Sequence, residues 1–250
     1  MANRTRHRTQ VYRVRWFRTF YNASCLIAKI RRCIFWRNNL CIFMEYVEGR
    51  DLREVWPSLS IWSRFKLAWV LRGYVRQLRK VKLPYQGIPG PINALGPTPI
   101  KCRGHYFPEI SAGPFPSYTA MSAWFDGRRR LTNLLNQSQA SQMPDPSIYK
   151  EPPQIYFDDS LPLVLTHGDI SVNNVRLGID GKVWLLDWDF AGVYPQWFEY
   201  ASIMAYHHKK VTPRGWLWFA PLIAGWYKSQ LLFMDRYYRG LQHYGFEGFD

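Results

Sequence analysis

The sequence predicts an α+β protein in which short strands and hairpins alternate with amphipathic helices. Two apolar runs, Cys33–Trp36 and Leu40–Met44, flank residues 37–39, which include two asparagines. Because Asn tolerates the left-handed backbone of a tight turn, this pattern predicts a β-hairpin. After Ser60, a favoured residue at a helix N-terminus, apolar residues recur at the spacing of a long helix. Two further apolar runs flank Asp180-Gly181, a strong turn signal, and predict a second hairpin.

The other elements follow in order along the chain. Residues 49–51 are expected to end the first hairpin, and an apolar stripe from Ile61 to Leu78 defines the first long helix. Pro and Gly crowd residues 84–116 and 143–153, which predicts a long ordered loop and a second connection. We expect a further helix at 118–135, strands at 161–166, 175–177 and 182–186, and helices at 198–210 and 214–240.

The composition indicates a well-packed protein with a basic start. The 250 residues are 47% hydrophobic, enough for a sizeable core in one large domain or two small ones. The formal net charge is +15, yet residues 1–40 contain ten Lys or Arg and no acid. The rest of the chain is ordinary in charge, so we expect no specific nucleic-acid partner. The start predicts a basic arm, residues 1–25, with few contacts to the body, and a mitochondrial transit peptide is the alternative.

Cysteine spacing and hydropathy bear on the compartment. The chain has four cysteines, Cys25, Cys33, Cys41 and Cys102. They show neither C-x-x-C spacing nor the density of a disulfide framework, which favours a reduced, cytoplasmic location. No run reaches the ~18 apolar residues of a membrane span, and the longest candidate, residues 216–227, is interrupted by Pro221. We expect no transmembrane segment and a monomeric chain.

Three polar residues have a spacing that suits phosphoryl transfer. Asp169 and Asn174 lie five residues apart on a loop after a strand, and Asp187 follows thirteen residues later at the end of a hairpin. Because a hairpin of that length folds back, we expect Asp187 to return beside Asn174. The arrangement would present one carboxylate to an acceptor hydroxyl and two oxygen ligands to a hard cation such as Mg²⁺. The alternative for Asp187 and Asp189 is the D-x-D motif of a metal-dependent glycosyltransferase.

The segment around these residues resembles a family of small-molecule kinases. His167-Gly168-Asp169 and Asn174 match the H-G-D-x-x-x-x-N loop of the aminoglycoside phosphotransferase and choline kinase-like family. Asp187-Trp188 matches that family's I-D-W metal-binding step, and residues 194–200 look like the helix start that follows in many members. Residues 43–49 (F-M-E-Y-V-E-G) resemble the hinge between kinase lobes. The resemblance covers residues 30–240 and implies a protein-kinase-like fold with a catalytic-loop hairpin and a mostly helical C-terminal lobe.

The resemblance implies a role for each motif residue. Asp169 would be the catalytic base, and His167 would brace the loop that carries it. Asn174 and Asp187 would hold Mg²⁺, and the implied nucleotide contacts at the hinge are Met44, Glu45 and Val47. The implied function is transfer of a phosphoryl group from ATP to a hydroxyl of a small molecule. Family members act on aminoglycosides, choline-like alcohols, homoserine and sugar adducts.

The resemblance also implies a reduced N-terminal lobe. Residues 1–43 contain neither a glycine nor an acid, although a kinase lobe needs a Gly-rich loop and a Lys–Glu pair over the phosphates. The expected organisation is a basic arm at 1–25, one remnant hairpin and the hinge at 26–48, and a kinase-like C-terminal lobe at 49–250. A truncated gene product, a non-catalytic pseudokinase and use of a partner's lobe are the alternatives. In each case we expect weak Mg²⁺-ATP binding and slow or no turnover.

Overall fold

The computed structural model describes residues 26–37, 39–83, 85–93, 96–107, 112–145, 150, 153–205 and 212–242, so the predicted basic arm at 1–25 lies outside these ranges. The strands are β1 (Leu26–Ile27), β2 (Ile30–Trp36), β3 (Asn39–Met44), β4 (Gly49–Asp51), β5 (Leu163–Thr166), β6 (Val175–Gly178), β7 (Val183–Leu185) and β8 (Gly192–Pro195). The helices are α1 (Leu52–Val55), α2 (Ile61–Leu78), α3 (Tyr118–Ser141), α4 (Phe198–Met204), α5 (Ala220–Ala224) and α6 (Lys228–Gln242). Small sheets and long helices confirm the predicted α+β class.

The largest sheet joins the second hairpin to the segment that follows the hinge. Its strand order is β1-β7-β6-β4, with β6 antiparallel to both neighbours and β1 parallel to β7. The expectation that residues 49–51 only end a strand is wrong, because they form β4 and pair with residues 176–178. Gly49 permits this approach, since a Cβ there would lie 2.0 Å from the carbonyl oxygen of Leu177. Strand β4, which follows the hinge, is thereby paired with β6.

The predicted first hairpin is present as the antiparallel pair β2 and β3. Arg37 has a left-handed backbone conformation at its turn, with φ of 47°. Among the described residues no third strand joins this pair. Its residues Ile42, Phe43 and Met44 are each about half exposed, so the hairpin contributes little to the core.

Helix α2 begins and ends where the sequence predicts, but its buried face differs. The Ser60 hydroxyl accepts a hydrogen bond from the amide three residues ahead at 3.2 Å and caps the N-terminus. The predicted stripe is buried from Ala68 to Leu78, whereas Ile61 and Phe65 are about half exposed. The C-terminal half of α2 therefore supplies the face that packs on α5.

Two departures from the predicted elements lie near the C-terminal end. Strand β8 pairs antiparallel with β5, although its residues were expected only to lead into a helix. The helix predicted over 214–240 is divided into α5 and α6, because Gly225 has a φ of 102° that ends the first of them. The long loop at 84–116 is ordered where it is described: Gly90 bridges to Val193 of β8, and Cys102 bridges to Ala112.

The core lies under α2 to α6 and is rich in aromatic rings. Phe125 stacks on Phe157 with ring centroids 4.4 Å apart, and Phe233 packs edge-on against both. Helix α6 lies close to α3, where the N–H of Gly240 donates to the Thr132 hydroxyl at 3.0 Å. None of the helices in the described ranges combines the length and apolar character needed to cross a bilayer.

Candidate active site

The loop between β5 and β6 contains the polar residues of the predicted motif. Asp169 and Asn174 are both about nine-tenths buried. The side-chain amide of Asn174 donates to the Asp169 carboxylate at 2.7 Å and to the Asp169 carbonyl oxygen at 2.9 Å. The two ends of the segment from Asp169 to Asn174 are therefore hydrogen-bonded to each other. Because the Asn174 nitrogen points at Asp169, the amide oxygen of Asn174 is the atom available to a metal.

His167 lies inside the protein and is hydrogen-bonded to this loop. It is fully buried, and its Nε2 donates to the carbonyl oxygen of Leu186 at 3.0 Å. Its Nδ1 accepts from the Asp169 amide at 3.2 Å, so each ring nitrogen has one partner and the imidazole is neutral. Burial lowers the pKa of His167 to about 4, which keeps it neutral at physiological pH. The ring of Trp188 packs edge-on against it at 4.5 Å.

Glu199 holds the same loop from α4. Its carboxylate accepts from the backbone N–H of His167 at 2.7 Å and of Gly168 at 3.1 Å. Glu199 is 1% exposed. Burial raises the pKa of Glu199 to about 7, although the two backbone donors and the charge of Arg79 act in the opposite direction. One buried carboxyl thus ties the start of the loop between β5 and β6 to the core.

Gly168 is required by the backbone at this point. Its φ is 77°, which favours Gly, and a Cβ would lie 2.6 Å from the carbonyl oxygen of Phe190. The segment after β7 therefore passes directly over the start of the catalytic loop. A larger residue at position 168 would push the two segments apart.

Asp187 comes next to Asn174 through the pairing of β6 and β7. The N–H of Leu186 donates to the carbonyl oxygen of Asn174 at 2.8 Å, just beyond the last pair of the ladder. The side chain of Asp187 is exposed, and its backbone is left-handed with φ of 60°. A non-Gly residue in this conformation is uncommon and often marks a functional position.

Asn174 and Asp187 suit a Mg²⁺ ion that is shared with a substrate better than a metal ion held by protein ligands alone. The described part of the chain has no cluster of three His, Cys, Asp or Glu that could hold an ion by itself. Mg²⁺ usually takes one or two protein oxygens and completes its octahedron with water and substrate phosphates. An amide oxygen from Asn174 and a carboxylate from Asp187 fit that requirement.

The predicted hinge lies next to the second hairpin. Met44 ends β3, the N–H of Glu45 donates to the carbonyl oxygen of Lys29 at 2.8 Å, and Val47 is buried. The carbonyl oxygen of Glu48 accepts a hydrogen bond from the N–H of Ile179, in the turn between β6 and β7, at 3.1 Å. The hinge and the hairpin that ends at Asp187 are thus neighbours in space.

One contact in the site involves a residue that the motif does not include. The Nε2 of His105 lies 2.8 Å from Oδ1 of Asp169, and both side chains are about nine-tenths buried. In the sequence, Cys102 and His105 have a C-x-x-H spacing that also occurs in metal sites. Cys102 is fully buried, however, and burial raises its pKa to about 12. No local pattern links His105, or Glu199, to the catalytic loop.

The comparison with known families matches this region of the chain. A model of the phosphotransferase enzyme family (APH) matches residues 112–236, half of the chain. The chain belongs to this family. The matched range includes the loop between β5 and β6, both candidate Mg²⁺ ligands and Glu199, and the match confirms the family predicted from the motif.

Solved structures similar to this chain include aminoglycoside phosphotransferases. The ADP-bound structure of APH(2'')-Ib is 12% identical and aligns over 90% of this chain and 68% of that one, with a TM-score of 0.47. The gentamicin complex of APH(2'')-IIa is 12% identical over 90% and 67%, with a TM-score of 0.45. The streptomycin–ATP ternary complex of APH(2'')-IIa is 11% identical over 91% and 80%, with a TM-score of 0.42. No curated protein sequence matches the chain significantly.

Proposed function

We propose that this phosphotransferase moves the γ-phosphoryl group of ATP to a hydroxyl of a small molecule, with Mg²⁺ as cofactor. The observation that supports the proposal is a pair of hydrogen bonds that joins the segments carrying Asp169, Asn174 and Asp187. The Asn174 amide donates to Asp169, and Leu186, the residue before Asp187, donates its N–H to the carbonyl oxygen of Asn174. A base and two oxygen ligands on neighbouring segments are the groups that phosphoryl transfer requires of a protein.

Asp169 is the base in this proposal. Its carboxylate accepts the proton of the acceptor hydroxyl as the hydroxyl oxygen bonds to the γ-phosphorus. The bond from that phosphorus to the β–γ bridging oxygen breaks, and ADP leaves with the electron pair. Asn174 fixes the carboxylate by its 2.7 Å hydrogen bond, which limits the orientations that Asp169 can adopt.

Asn174 and Asp187 would hold Mg²⁺ through the amide oxygen and the carboxylate. When bound, the ion neutralises charge that develops on the transferred phosphoryl group. At the hinge, the N–H of Glu45 is used by Lys29, so the carbonyl oxygen of Glu45 would meet the adenine amino group. The N–H of Val47 would donate to the adenine ring, with the half-exposed Met44 side chain beside it.

A small acceptor is favoured over a protein acceptor. Protein kinases have an Arg at the position of Gly168 that reads a phosphorylated activation loop, and here a Cβ would already meet Phe190. The segment between Asp187 and the start of β8 at Gly192 is only a few residues long. It offers no room for such a loop, so the site would be open to a small molecule without a regulatory segment.

The experiment compares the 250-residue chain with its Asp169→Asn variant. ADP formation is measured with Mg²⁺-ATP and a panel of hydroxylated amines, sugars and amino acids, with water alone as the reference acceptor. Nucleotide binding is measured in parallel by calorimetry with and without Mg²⁺. The proposal expects acceptor-dependent ADP formation that Asp169→Asn abolishes while nucleotide binding is largely kept.

The second candidate function is a protein that binds Mg²⁺-ATP without catalysis. It is favoured by one observation: residues 26–44 contain no glycine and no acid, so they lack the groups that clamp the β- and γ-phosphates in kinases. Mg²⁺-dependent ATP binding without ADP formation across the panel would replace the first proposal by this one. Absence of any nucleotide binding would overturn both.

A further inference from the structure

The contact between His105 and Asp169 joins two distant parts of the chain. Their atoms Nε2 and Oδ1 lie 2.8 Å apart across 64 residues of sequence. Because an ionised carboxylate only accepts hydrogen bonds, His105 is the donor. A charge-assisted hydrogen bond of this length in a nearly dry site is among the stronger contacts that a carboxylate can make.

The segment that carries His105 is held firmly in place. It forms a turn in which the N–H of Phe107 donates to the carbonyl oxygen of Gly104 at 3.2 Å. Tyr106 and Phe107 are each nearly fully buried, and the Tyr106 hydroxyl donates to the carbonyl oxygen of Ala201 in α4 at 3.0 Å. The turn is therefore fixed to the same helix that carries Glu199.

The imidazole is also held on its other side. The ring of Phe190 packs edge-on against His105 with centroids 5.5 Å apart. Phe190 belongs to the segment that passes over Gly168, so His105, Phe190 and the catalytic loop pack as one unit. A ring held by packing and by a rigid turn can fix the direction of the group that it contacts.

We propose that His105 is a positioning residue that fixes the carboxylate of Asp169 for the acceptor hydroxyl. The inference rests on the proposed function, in which Asp169 is the base. Asn174 is hydrogen-bonded to Oδ2 of Asp169 and His105 to Oδ1. The two hydrogen bonds together restrict rotation of the carboxylate group. A carboxylate oxygen has two lone pairs, so Oδ1 can accept from His105 and from a hydroxyl at the same time.

Kinetics on variants of the full chain test the positioning role. His105→Leu removes the donor at similar size, and His105→Gln keeps an N–H donor. We expect His105→Leu to lower kcat by about 10- to 100-fold, with KM for ATP nearly unchanged, because the carboxylate is misplaced only for the chemical step. His105→Gln should recover a large part of the loss.

A matched control lies on the same turn. Arg103 pairs with Asp189 at 3.4 Å, and both side chains are exposed. Arg103→Ala should leave kcat and KM as in the unmodified chain. Because Asp169→Asn is itself expected to abolish turnover, the positioning role is tested by which kinetic constant changes in His105→Leu. A loss that falls on KM for ATP with kcat unchanged, or a loss of kcat that His105→Gln does not recover at all, would overturn the positioning role.

A second measurement does not depend on turnover. In the ¹⁵N-labelled chain, the imidazole signals of His105 are assigned by their loss in His105→Gln. We expect a protonated Nε2 whose signal shifts in Asp169→Ala and stays unchanged in Arg103→Ala. If the chemical shift of the His105 signal is unchanged in Asp169→Ala, the inference is overturned even when the enzyme is active. A chain without turnover but with an Asp169-dependent His105 signal would overturn the proposed function and support the contact.

Discussion

Glu199→Gln tests how the fold holds the catalytic loop. Glu199 accepts two backbone hydrogen bonds from that loop, and burial raises its pKa from 4.5 to about 7. A raised pKa means that the folded state holds a proton that the unfolded state has already released. The folded state is therefore favoured at low pH, and this contribution is lost as the pH rises from about 4.5 through 7.

The size of the effect follows from the two pKa values. Between pH 5 and pH 8, ionisation of a group with these values lowers the free energy of unfolding by about 2 to 3 kcal/mol. Gln cannot ionise, so the variant lacks this dependence. Gln also offers one acceptor oxygen instead of two, which leaves one loop N–H without a partner and costs about 1–3 kcal/mol at every pH.

The assay is urea unfolding followed by tryptophan fluorescence at pH 5 and pH 8. We expect Glu199→Gln to be clearly less stable than the unmodified chain at pH 5, and the difference to narrow by about 2 to 3 kcal/mol at pH 8. Other titrating groups, including the buried His167, are present in both proteins and largely cancel. A stability difference that is the same at both pH values would show that the hydrogen bonds and Arg79 offset burial, and would refute the reasoning.

Three further substitutions probe the site and the packing around it. Gly168→Ala forces a residue with φ of 77° and a Cβ 2.6 Å from the Phe190 carbonyl oxygen, and should lower the free energy of unfolding by about 2–4 kcal/mol in urea titrations. Gly240→Ala places a Cβ 2.2 Å from the Thr132 hydroxyl oxygen, between α3 and α6. This substitution should lower the free energy of unfolding by about 1–3 kcal/mol in the same assay. Unchanged stability would mean that the two helices can move apart without cost. Asp187→Asn should leave thermal stability nearly unchanged while raising the Mg²⁺ concentration needed for ATP binding by about tenfold or more, measured by calorimetry, and an unchanged Mg²⁺ dependence would remove Asp187 from the ligand set.

Local patterns predicted the parts of the fold whose contacts are close in sequence. The hairpin around Asp180-Gly181 and the Ser60 cap each depend on residues within a few positions of each other, and both are present. The bracing role of His167 stays a prediction, although its hydrogen bond from the Asp169 amide is a local contact of this kind. The roles of Asp169, Asn174 and Asp187 were implied by a motif and stay a prediction.

The parts that were missed depend on contacts across long stretches of chain. Glu199 reaches the loop from 31 and 32 residues away, and His105 reaches Asp169 from 64. The residues next to Glu199 and His105 in the sequence show no pattern that predicts these contacts. The contacts form only because the folded chain brings distant segments together. Strand β8 was missed for a similar reason, since all four of its residues are buried and no alternation marks them.

The left-handed backbone at Asp187 bears on how this chain would evolve. A residue with a side chain at φ of 60° costs about 1 kcal/mol relative to Gly, so selection for stability alone favours Gly at that position. At this position Asp supplies a carboxylate, which Gly cannot. If phosphoryl transfer were lost in a lineage, position 187 would therefore be expected to drift to Gly earlier than Gly168 would change, because the close approach of Phe190 constrains Gly168 whether or not the site is active. Under the proposed function, relatives that have Gly168 but not Asp187 would keep the fold and lack one of the two Mg²⁺ ligands.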